Sequence, residues 1–556
     1  MNRPWQETLY PPGVPTEIDP DAHASINEVF QESVKKFANK PSFISMGYEL
    51  TYAQLGEKAE AFAAFLQQDL GLVKGDRLAI MVPNLLQYPI ALFGAQLAGI
   101  TVVNVNPLYT ERELRHQLQD SGSKAIVIFE IFAHTLEAVI DDTPVVNVVT
   151  TGVGDCLGLK GKLLNFVVRK VKKAVPAFQL PGAIGFNEAL ARGARLSLSP
   201  VTVCGDDIAF LQYTGGTTGV AKGAVLSQRN IIANMLQTRA MIEPIVEEGN
   251  EIMVTALPLY HIYALTCNCL AFMFSGGSNL LIANPRDMDG FVKTLSKYRF
   301  TFFTGVNTLF NGLMNTPGFD KLDFSALKVT MAGGMATQRA VAEKWQEKTG
   351  CAVLEGFGLT ECSPCVAVSP YTQDYFSGAI GVPLPSTDVR LVDENGEDVA
   401  AGEPGELLVK GPQVMQGYYQ RPEATAEVIR DGWVATGDIA TLGEDGLLRI
   451  VDRKKDMILV SGFNVFPNEI EEVVAMHESI ATAGAIGVPC EQTGEKVRVY
   501  VEVHEGELDT EALIAHCRQH LTAYKVPREF EVMDELPKTP VGKVLRKDLR
   551  KLLAEA

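Results

Sequence analysis

The chain has 556 residues, which is too long for one ordinary domain and predicts roughly three or four folded units. Hydrophobic residues make up 46% of it and charged residues 21%, which excludes an intrinsically disordered chain and indicates a globular protein with a sizeable core. The formal net charge of −18 argues against non-specific nucleic-acid binding and favours a soluble protein of the cytoplasm.

The cysteines and the apolar stretches indicate in which cellular compartment the protein is expected. Nine cysteines, an odd number, do not suggest a disulfide framework and favour a reducing environment. Cys362 and Cys365 have CxxC spacing, but no second Cys or His pair follows, which disfavours a metal or redox role. The N-terminus lacks the apolar core of a signal peptide. The uncharged stretches 78–110 and 262–284 are interrupted by Pro, Asn or Gly before the about 20 apolar residues of a membrane span, so buried core elements are expected there.

Helices and strands alternate through the first part of the chain. The sequence TYAQ at 51–54 is a capping-box pattern and predicts a helix that runs to about residue 69. Alternation of this kind is typical of βαβ units and a parallel sheet. The further elements predicted are strands at 77–82, 100–105, 124–129, 251–256, 300–305 and 327–331, and helices at 88–98, 111–120 and 337–349.

The pattern changes in the last third of the chain. From about Asp388, short alternating strands separated by turns predict a smaller β-rich subdomain. Charges cluster at 452–456 (DRKKD) between two apolar strands, and we place a domain boundary there. The sequence thus predicts an N-terminal domain at 1–452 and a compact α+β domain at 453–556. Within the second domain we expect a helix from Pro467, a strand at 496–503, and helices at 510–521 and 544–553.

A glycine- and threonine-rich stretch, YTGGTTGVAKGA at 213–224, follows an apolar predicted strand at 208–213. Glycine lets the backbone approach a ligand closely, and successive N–H groups, together with hydroxyls, favour anions. The stretch therefore predicts a phosphate-binding loop. It is not of the Walker type, because Gly223 and Ala224 follow Lys222 where that motif requires Ser or Thr. Taken alone, the stretch is also compatible with a flexible turn between strands.

A basic segment, KGKLLNFVVRKVKK at 160–173, stands out from the acidic background. On a helical wheel its apolar and basic residues fall largely on opposite sides. The pattern fits a helix that lies on an anionic membrane, and it fits a solvated surface helix docked on the core equally well. The apolar group is Leu163, Leu164, Val167, Val168 and Val171, and the basic group is Lys162, Arg169, Lys170, Lys172 and Lys173.

Six further motifs follow the glycine-rich stretch in a fixed order. With that stretch, they resemble the signatures of the adenylate-forming superfamily of acyl-CoA synthetases, luciferases and peptide-synthetase adenylation domains. The chain is most similar to the bacterial long-chain fatty-acid–CoA ligases, from VPTEI at 14–18 to the final helix. The motifs are PLYHIYA at 258–264, AGGM at 332–335, EGFGLTE at 355–361, DGWVATGD at 431–438, VDRKKDMILVSGFNVFPNEIE at 451–471 and ELPKTPVGKVLRK at 535–547.

The resemblance implies an α/β fold, with a large N-terminal domain of βαβ-type subdomains plus a β-rich subdomain. A hinge joins this domain to a small mobile α+β C-terminal domain. The implied substrates are ATP, a fatty acid and coenzyme A, with Mg²⁺ as the cofactor. One glutamate together with triphosphate oxygens suits the ligand preference of Mg²⁺. That glutamate is Glu361, and Thr218 is implied as both a metal ligand and a catalytic residue.

The resemblance also assigns the nucleotide site. Asp438 and Arg453 would bind the ribose, and Phe357 would stack on adenine where relatives carry Tyr. The residues that would hold the phosphates are Thr214, Gly215, Gly216, Thr217, Thr218, Gly219, Lys222 and Thr360. Those that would line the adenine pocket and its junction with the acyl site are Gly333, Gly334, Met335, Glu355, Gly356 and Gly358.

Four further roles follow from the resemblance. Lys543 would meet the carboxylate and the α-phosphate in the first step, and Lys455 would be the hinge. Gly462 would border the coenzyme A tunnel. Tyr260 and His261 would gate the acyl site, His261 through packing rather than as a base. Candidates for the acyl tunnel are Phe272, Phe274, Phe302, Phe303, Val306 and Phe310, which sequence alone does not separate from core residues.

The leading interpretation is an ATP- and Mg²⁺-dependent long-chain fatty-acid–CoA ligase that activates fatty acids for degradation or lipid synthesis. A medium-chain or aryl acid–CoA ligase, or acyl transfer to a carrier protein, stays open. A non-catalytic, membrane-associated fatty-acid carrier is a third alternative, but it does not explain Glu361, Asp438 and Lys543 together. Contact with the inner face of the cell membrane through 160–173 and a homodimer are left open, and no nucleic-acid partner is expected.

Overall fold

The computed structural model describes residues 4–214, 221–461, 463–490, 492–504, 508–539 and 542–555. The helices of these segments are α1 Pro4–Thr8, α2 Ile26–Lys36, α3 Tyr52–Ala64, α4 Gln87–Leu97, α5 Glu111–Ser121, α6 Ala133–Glu137, α7 Gly158–Phe166, α8 Phe186–Gly193, α9 Gln228–Ile242, α10 Ala271–Phe274, α11 Met288–Leu295, α12 Asn307–Met314, α13 Arg339–Thr349, α14 Pro422–Val428, α15 Pro467–Ala475, α16 Thr510–His520 and α17 Arg546–Glu555.

The strands form four sheets. They are β1 Pro41–Ser45, β2 Tyr48–Thr51, β3 Arg77–Met81, β4 Thr101–Asn104, β5 Ala125–Phe129, β6 Asn147–Thr151, β7 Ile184–Gly185, β8 Ile208–Thr214, β9 Lys222–Ser227, β10 Ile252–Thr255, β11 Ser278–Leu281, β12 Phe302–Gly305, β13 Val329–Gly333, β14 Val353–Gly358, β15 Cys365–Val368, β16 Val382–Pro383, β17 Asp388–Val392, β18 Gly405–Lys410, β19 Gly417–Tyr418, β20 Ile429–Arg430, β21 Trp433–Leu442, β22 Leu448–Arg453, β23 Ile458–Val460, β24 Phe463–Val465, β25 Ile480–Cys490, β26 Gly494–Val503 and β27 Glu529–Val532.

Two large sheets build the N-terminal part. The first has the order β19-β9-β8-β4-β3-β5-β6-β7, and the second has the order β16-β15-β14-β13-β12-β10-β11-β1-β2. The central strands of both are parallel, as the alternation of elements predicted, while β9, β19, β15, β16 and β2 add antiparallel edges. Helix α4 is buried at every residue and belongs to the large apolar core that both sheets share.

The β-rich subdomain and the C-terminal unit follow in the predicted order. Strands β17, β18, β21, β20 and β22 form a five-stranded sheet. Strands β24, β23, β26, β25 and β27 form another, which packs with α15 and α16 around its own apolar cluster. The boundary predicted between residues 452 and 453 falls between the last two residues of strand β22 and stays a prediction.

The element bounds match the predicted ones within about two residues at most positions. The last helix begins at Arg546, two residues after the predicted start at 544. The residues before it are held in a turn: Thr539 N–H donates to the Lys543 carbonyl at 2.7 Å, and Leu545 N–H donates to that of Pro537 at 2.7 Å. These bonds hold Lys543 in a turn ahead of the helix.

The basic segment forms α7 and a wider helical turn, Val167–Val171. Within the apolar group, Leu163 and Val171 are exposed, while Leu164 and Val168 are half-buried. The helix docks on the core through Gly161 and Asn165, which are buried. Among the described helices, none is both long and apolar enough to cross a membrane.

Candidate active site

The carboxyl ends of three neighbouring strands form one edge of the site. Strands β12, β13 and β14 are adjacent and parallel, so the residues that follow them meet at the same edge of the sheet. Val306 follows β12 and is buried. Gly333 ends β13 and is in register with Gly356 of β14. The residues predicted to line the adenine pocket therefore lie side by side.

The glycines at this edge allow close approach. A Cβ atom at Gly333 would lie 2.9 Å from the Tyr263 ring and 3.1 Å from the Gly356 carbonyl oxygen. Gly334 has a φ of +81°, a conformation that side chains disfavour. Met335 packs, partly buried, against the main core. Larger residues at these glycines would displace the Tyr263 ring or strain the turn.

The glycine-rich stretch connects two antiparallel strands. Thr214 at the end of β8 pairs with Lys222 at the start of β9, and Thr214 Oγ1 donates to the Lys222 carbonyl at 3.4 Å. The predicted phosphate-binding residues Gly215, Gly216, Thr217, Thr218 and Gly219 lie outside the described residues.

Glu361 and Lys222 meet through a tyrosine that sequence reasoning missed. The Tyr418 hydroxyl donates to Glu361 Oε1 at 2.6 Å, and Lys222 Nζ lies 5.1 Å from the centre of the Tyr418 ring. Thr360 precedes Glu361 in a short helical turn after β14. The partly exposed carboxylate is a hard oxygen donor of the kind that Mg²⁺ prefers, so this residue fits the predicted metal role.

Asp438 is buried and forms an ion pair with the half-exposed Arg453 across β21 and β22. Arg453 Nε lies 2.7 Å from Asp438 Oδ1, and the Asp438 side chain is only 4% exposed. Burial raises the pKa of Asp438 to about 6, although the charges of Arg453 and Lys543 lower it. Its Oδ2 is buried without a hydrogen-bond partner among the described residues. An unsatisfied buried acceptor suits a hydroxyl donor such as those of ribose.

Glu355 is a buried carboxyl group in β14, between the core and the site. The backbone N–H of Thr337 donates to its Oε1 at 3.1 Å. Burial raises the pKa of Glu355 to about 7, and the charge of Glu472 in α15 acts in the same direction. Its neighbour Phe357 is half-buried and Gly358 is exposed, so the strand emerges from the core where the adenine pocket is predicted.

We expect Glu355→Gln to stabilise the protein at alkaline pH. The amide oxygen can still accept from Thr337 N–H, and no charge is buried. Because the pKa is about 7 in the folded chain and 4.5 ordinarily, ionisation costs up to roughly 3 kcal/mol of stability. The wild type loses this stability as the pH rises from about 4.5 to 7, so the advantage of the variant should be larger at pH 8 than at pH 5. Chemical unfolding at both values measures it.

The matched control for this prediction is Glu343→Gln, at an exposed position of α13. Its effect should not depend on pH between 5 and 8. An equal advantage of Glu355→Gln at both pH values would show that the carboxyl ionises at no cost to the fold.

Lys543 reaches the site from the C-terminal unit. The neighbouring Gly542 touches α12 of the N-terminal part, since a Cβ atom there would lie 2.6 Å from Thr308 Oγ1. Burial lowers the pKa of the Lys543 ammonium, and the charges of Arg453 and Arg546 lower it further, while those of Asp438 and Asp456 oppose this. In this structure Lys543 therefore lies close enough to Asp438 and Arg453, the predicted ribose-binding residues, for their charges to act on it.

A buried arginine, Arg546, holds the region of the predicted hinge. Arg546 Nη1 lies 3.0 Å from Asp452 and 3.4 Å from Asp456, and its Nη2 lies 2.7 Å from Glu471 of α15. Lys455, the predicted hinge residue, is exposed in the short turn between β22 and β23. Two residues that Arg546 contacts, Asp452 and Asp456, therefore lie on either side of Lys455 in the sequence. Gly462 lies outside the described residues.

The predicted acyl-side residues lie near the parallel strands. Burial lowers the pKa of His261 to about 4, so its imidazole is neutral at physiological pH, as a packing role requires. Burial also raises the pKa of Tyr260 to about 12. Four of the tunnel candidates pack against other aromatic rings, which is the behaviour of core residues. The ring contacts are Phe272 with Phe302, and Phe303 and Phe310 with Trp345.

Comparison with known proteins identifies the class. A family model described as "AMP-binding enzyme" matches residues 30–419, and one described as "AMP-binding enzyme C-terminal domain" matches residues 469–543. The chain belongs to this family of AMP-binding enzymes and has the adenylate-forming fold.

Two relatives of similar length carry the name of one kind of AMP-binding enzyme. The chain is 58% identical over 551 residues to a long-chain-fatty-acid–CoA ligase of Yersinia pestis, covering 99% of this chain and 98% of the relative. It is 36% identical to a long-chain-fatty-acid–CoA ligase of Bacillus subtilis, covering 100% and 98%. A crystal structure of ATP-bound MatB from Rhodopseudomonas palustris superimposes with a TM-score of 0.79 at 27% identity, covering 95% of this chain and 99% of that one.

Proposed function

We propose that the chain is an AMP-forming long-chain fatty-acid–CoA ligase. The identity to ligases of this name extends over almost the whole chain. The observation that supports the proposed chemistry is that several charged groups act on the Asp438 carboxyl group. Arg453 and Lys543 lower its pKa, and Glu361 raises it. These residues come from the β-rich subdomain, the C-terminal unit and the turn after β14, and the action of their charges on one carboxyl group supports a shared site.

In the first step the fatty-acid carboxylate attacks the α-phosphorus of ATP, and pyrophosphate leaves. Asp438 accepts from the ribose hydroxyls through Oδ2, which has no hydrogen-bond partner among the described residues, and Arg453 keeps the carboxylate ionised and oriented. Lys543 attracts both the carboxylate and the α-phosphate, which offsets their mutual repulsion. Glu361, with Thr218, would hold Mg²⁺, which neutralises phosphate charge when bound.

In the second step the thiol of coenzyme A attacks the acyl-adenylate, and AMP leaves. Lys543 must withdraw to make room for the thiol, so the C-terminal unit rotates about Lys455. A short exposed turn can absorb the change in backbone angles. The thioester would then be consumed in fatty-acid degradation or lipid synthesis.

Pyrophosphate release tests this proposal. The assay compares saturated fatty acids of increasing length and an aromatic acid, each with ATP and Mg²⁺, with and without coenzyme A. Release that is fastest with long chains and becomes catalytic only with coenzyme A supports the proposal. Faster pyrophosphate release with the aromatic acid or a medium-chain acid would favour the alternative ligases. If no acid gave pyrophosphate release, the proposal that the chain is a ligase would be wrong.

We further infer that α7 and the turn after it form the surface that docks on an anionic membrane. Four large apolar side chains are exposed along this element, and they alternate with exposed lysines in a protein of net charge −18. Apolar side chains flanked by cations suit the interface of an anionic bilayer. The exposed fractions are Leu159 83%, Leu163 66%, Phe166 58% and Val171 66%.

The helix is anchored on its other side, which fixes this orientation. Asn165 is buried, donates to Asp155 Oδ1 at 2.9 Å and accepts from Gly154 N–H at 2.6 Å. A Cβ atom at Gly161 would lie 1.8 Å from the Gly154 carbonyl oxygen, so only glycine allows this approach. Arg169 pairs inward with Glu130 at 2.8 Å. The remaining lysines are left to face outward.

Charge reversal tests the docking surface. Replacing Lys170, Lys172 and Lys173 by Glu should weaken binding to phosphatidylglycerol-rich vesicles by about a hundredfold or more, since each basic residue near such a surface contributes about 1 kcal/mol. Co-sedimentation at low and high salt measures the effect, and phosphatidylcholine vesicles should bind weakly in every case.

The matched control reverses three exposed lysines elsewhere, at Lys293, Lys297 and Lys321. This variant has the same net charge as the first and should bind nearly as the wild type does, apart from a general loss due to charge. Equal losses in the two variants, or binding that is insensitive to salt, would rule out a specific docking face.

A further inference from the structure

Tyr418 lies between two groups of opposite charge that the proposed function requires. Its hydroxyl donates to Glu361 Oε1 at 2.6 Å, and the face of its ring is 5.1 Å from Lys222 Nζ. We propose that Tyr418 is a positioning residue for the metal-binding carboxylate of Glu361 and for the ammonium group of Lys222. The inference rests on the proposed function, because it assigns these two residues to Mg²⁺ and phosphate.

The segment that carries Tyr418 is fixed to both partners. Strand β19 pairs antiparallel with β9, so that Tyr418 faces Ala224 in the strand that begins at Lys222. Three residues earlier, Met415 N–H donates to the Glu361 carbonyl at 2.8 Å. Tyr418 N–H donates to Thr425 Oγ1 at 2.9 Å. The same short segment therefore holds the backbone of Glu361 and its carboxylate.

A second contact joins this segment to the strand before the glycine-rich stretch. Asp120 in α5 accepts from the Tyr213 hydroxyl at 2.7 Å and pairs with Arg421 at 2.5 Å. Tyr213 immediately precedes Thr214, and Arg421 follows Tyr418 by three residues. The strand that leads into the predicted phosphate-binding loop and the segment that carries Tyr418 both contact Asp120 of α5. This shared contact limits the movement of the Tyr418 segment.

The chemistry of the two contacts explains what positioning achieves. A hydroxyl that donates to a carboxylate makes a short charge-assisted bond and restricts a flexible glutamate side chain. An ammonium group over an aromatic face is attracted by the ring. One side chain therefore holds an anion and a cation at a fixed separation.

The test measures metal–nucleotide binding without any acyl substrate. The variant Tyr418→Phe keeps the ring over Lys222 and removes the donor to Glu361. With Mn²⁺ as the probe and ATP present, electron paramagnetic resonance titration should give a dissociation constant about tenfold higher than in the wild type, as for the loss of one hydrogen bond to a charged group. The control Tyr419→Phe removes a neighbouring hydroxyl and should change this constant less than about twofold.

A double-mutant cycle separates positioning from a merely structural role. In the Glu361→Gln background, Tyr418→Phe should alter the Mn²⁺ dissociation constant little, because its partner charge is already gone. Additive effects, tighter Mn²⁺ binding, or a lower melting temperature with an unchanged dissociation constant would each overturn the inference. Because neither fatty acid nor coenzyme A is present, failure of the proposed acyl substrate leaves this outcome interpretable.

Discussion

Lys543→Ala should slow the formation of acyl-adenylate about a thousandfold and leave the transfer of a supplied acyl-adenylate to coenzyme A largely intact. A lysine about 4 Å from a carboxylate contributes on the order of 4 kcal/mol at an effective dielectric near 20. A loss of that size in the transition state corresponds to about three powers of ten in rate. Burial of Lys543 among Asp438, Arg453 and Arg546 supports a dielectric well below that of water.

The two half-reactions are measured separately, by pyrophosphate release in a single turnover and by thioester formation from synthetic acyl-adenylate. Lys547→Ala is the matched control, because Lys547 is exposed on the first turn of α17 and should leave both rates near the wild type. Equal losses in the two half-reactions of Lys543→Ala would contradict a role confined to the first step.

Arg546→Ala should destabilise the C-terminal unit by about 3–5 kcal/mol, the usual cost of removing one partner of a buried ion pair. Arg546 is only 9% exposed and lies within 3.4 Å of Asp452, Asp456 and Glu471. Asp452 is fully buried, so its charge would lose its principal compensation. Hydrogen exchange in α15 and α17, with calorimetry of the whole chain, measures the loss.

Arg550→Ala provides the comparison for this prediction. Arg550 pairs with Asp456 at 2.8 Å, but its side chain is 38% exposed, so the expected cost is below about 1 kcal/mol. Similar losses in the two variants would mean that Arg546 behaves as a surface residue and does not hold the hinge.

Much of the fold could be predicted because its signals are local. The alternation of apolar runs and helical periods predicted the parallel strands, and β3, β4 and β5 occupy the expected stretches within about two residues. The family motifs predicted Asp438 and Arg453, which the structure pairs across β21 and β22. Their roles toward ATP stay predictions.

The contacts that sequence reasoning missed are between residues far apart in the chain. Tyr418 meets Glu361 across 57 positions, and Asp120 meets Arg421 across 301, so no periodicity or spacing could reveal them. The side on which α7 docks could not be predicted for a related reason. A helical wheel only groups apolar and basic residues, whereas Gly161 and Asn165 dock this helix through close backbone approach and buried hydrogen bonds.

The most direct measurement of the central claim is the detection of the acyl-adenylate itself. Enzyme in excess is mixed with ATP, Mg²⁺ and a long-chain fatty acid, quenched and analysed by mass spectrometry, before and after coenzyme A is added. The account predicts enzyme-bound fatty acyl-AMP in the first sample and its conversion to acyl-CoA and AMP in the second. Acyl-CoA formed with no acyl-AMP under any condition, or with ADP as the nucleotide product, would contradict it.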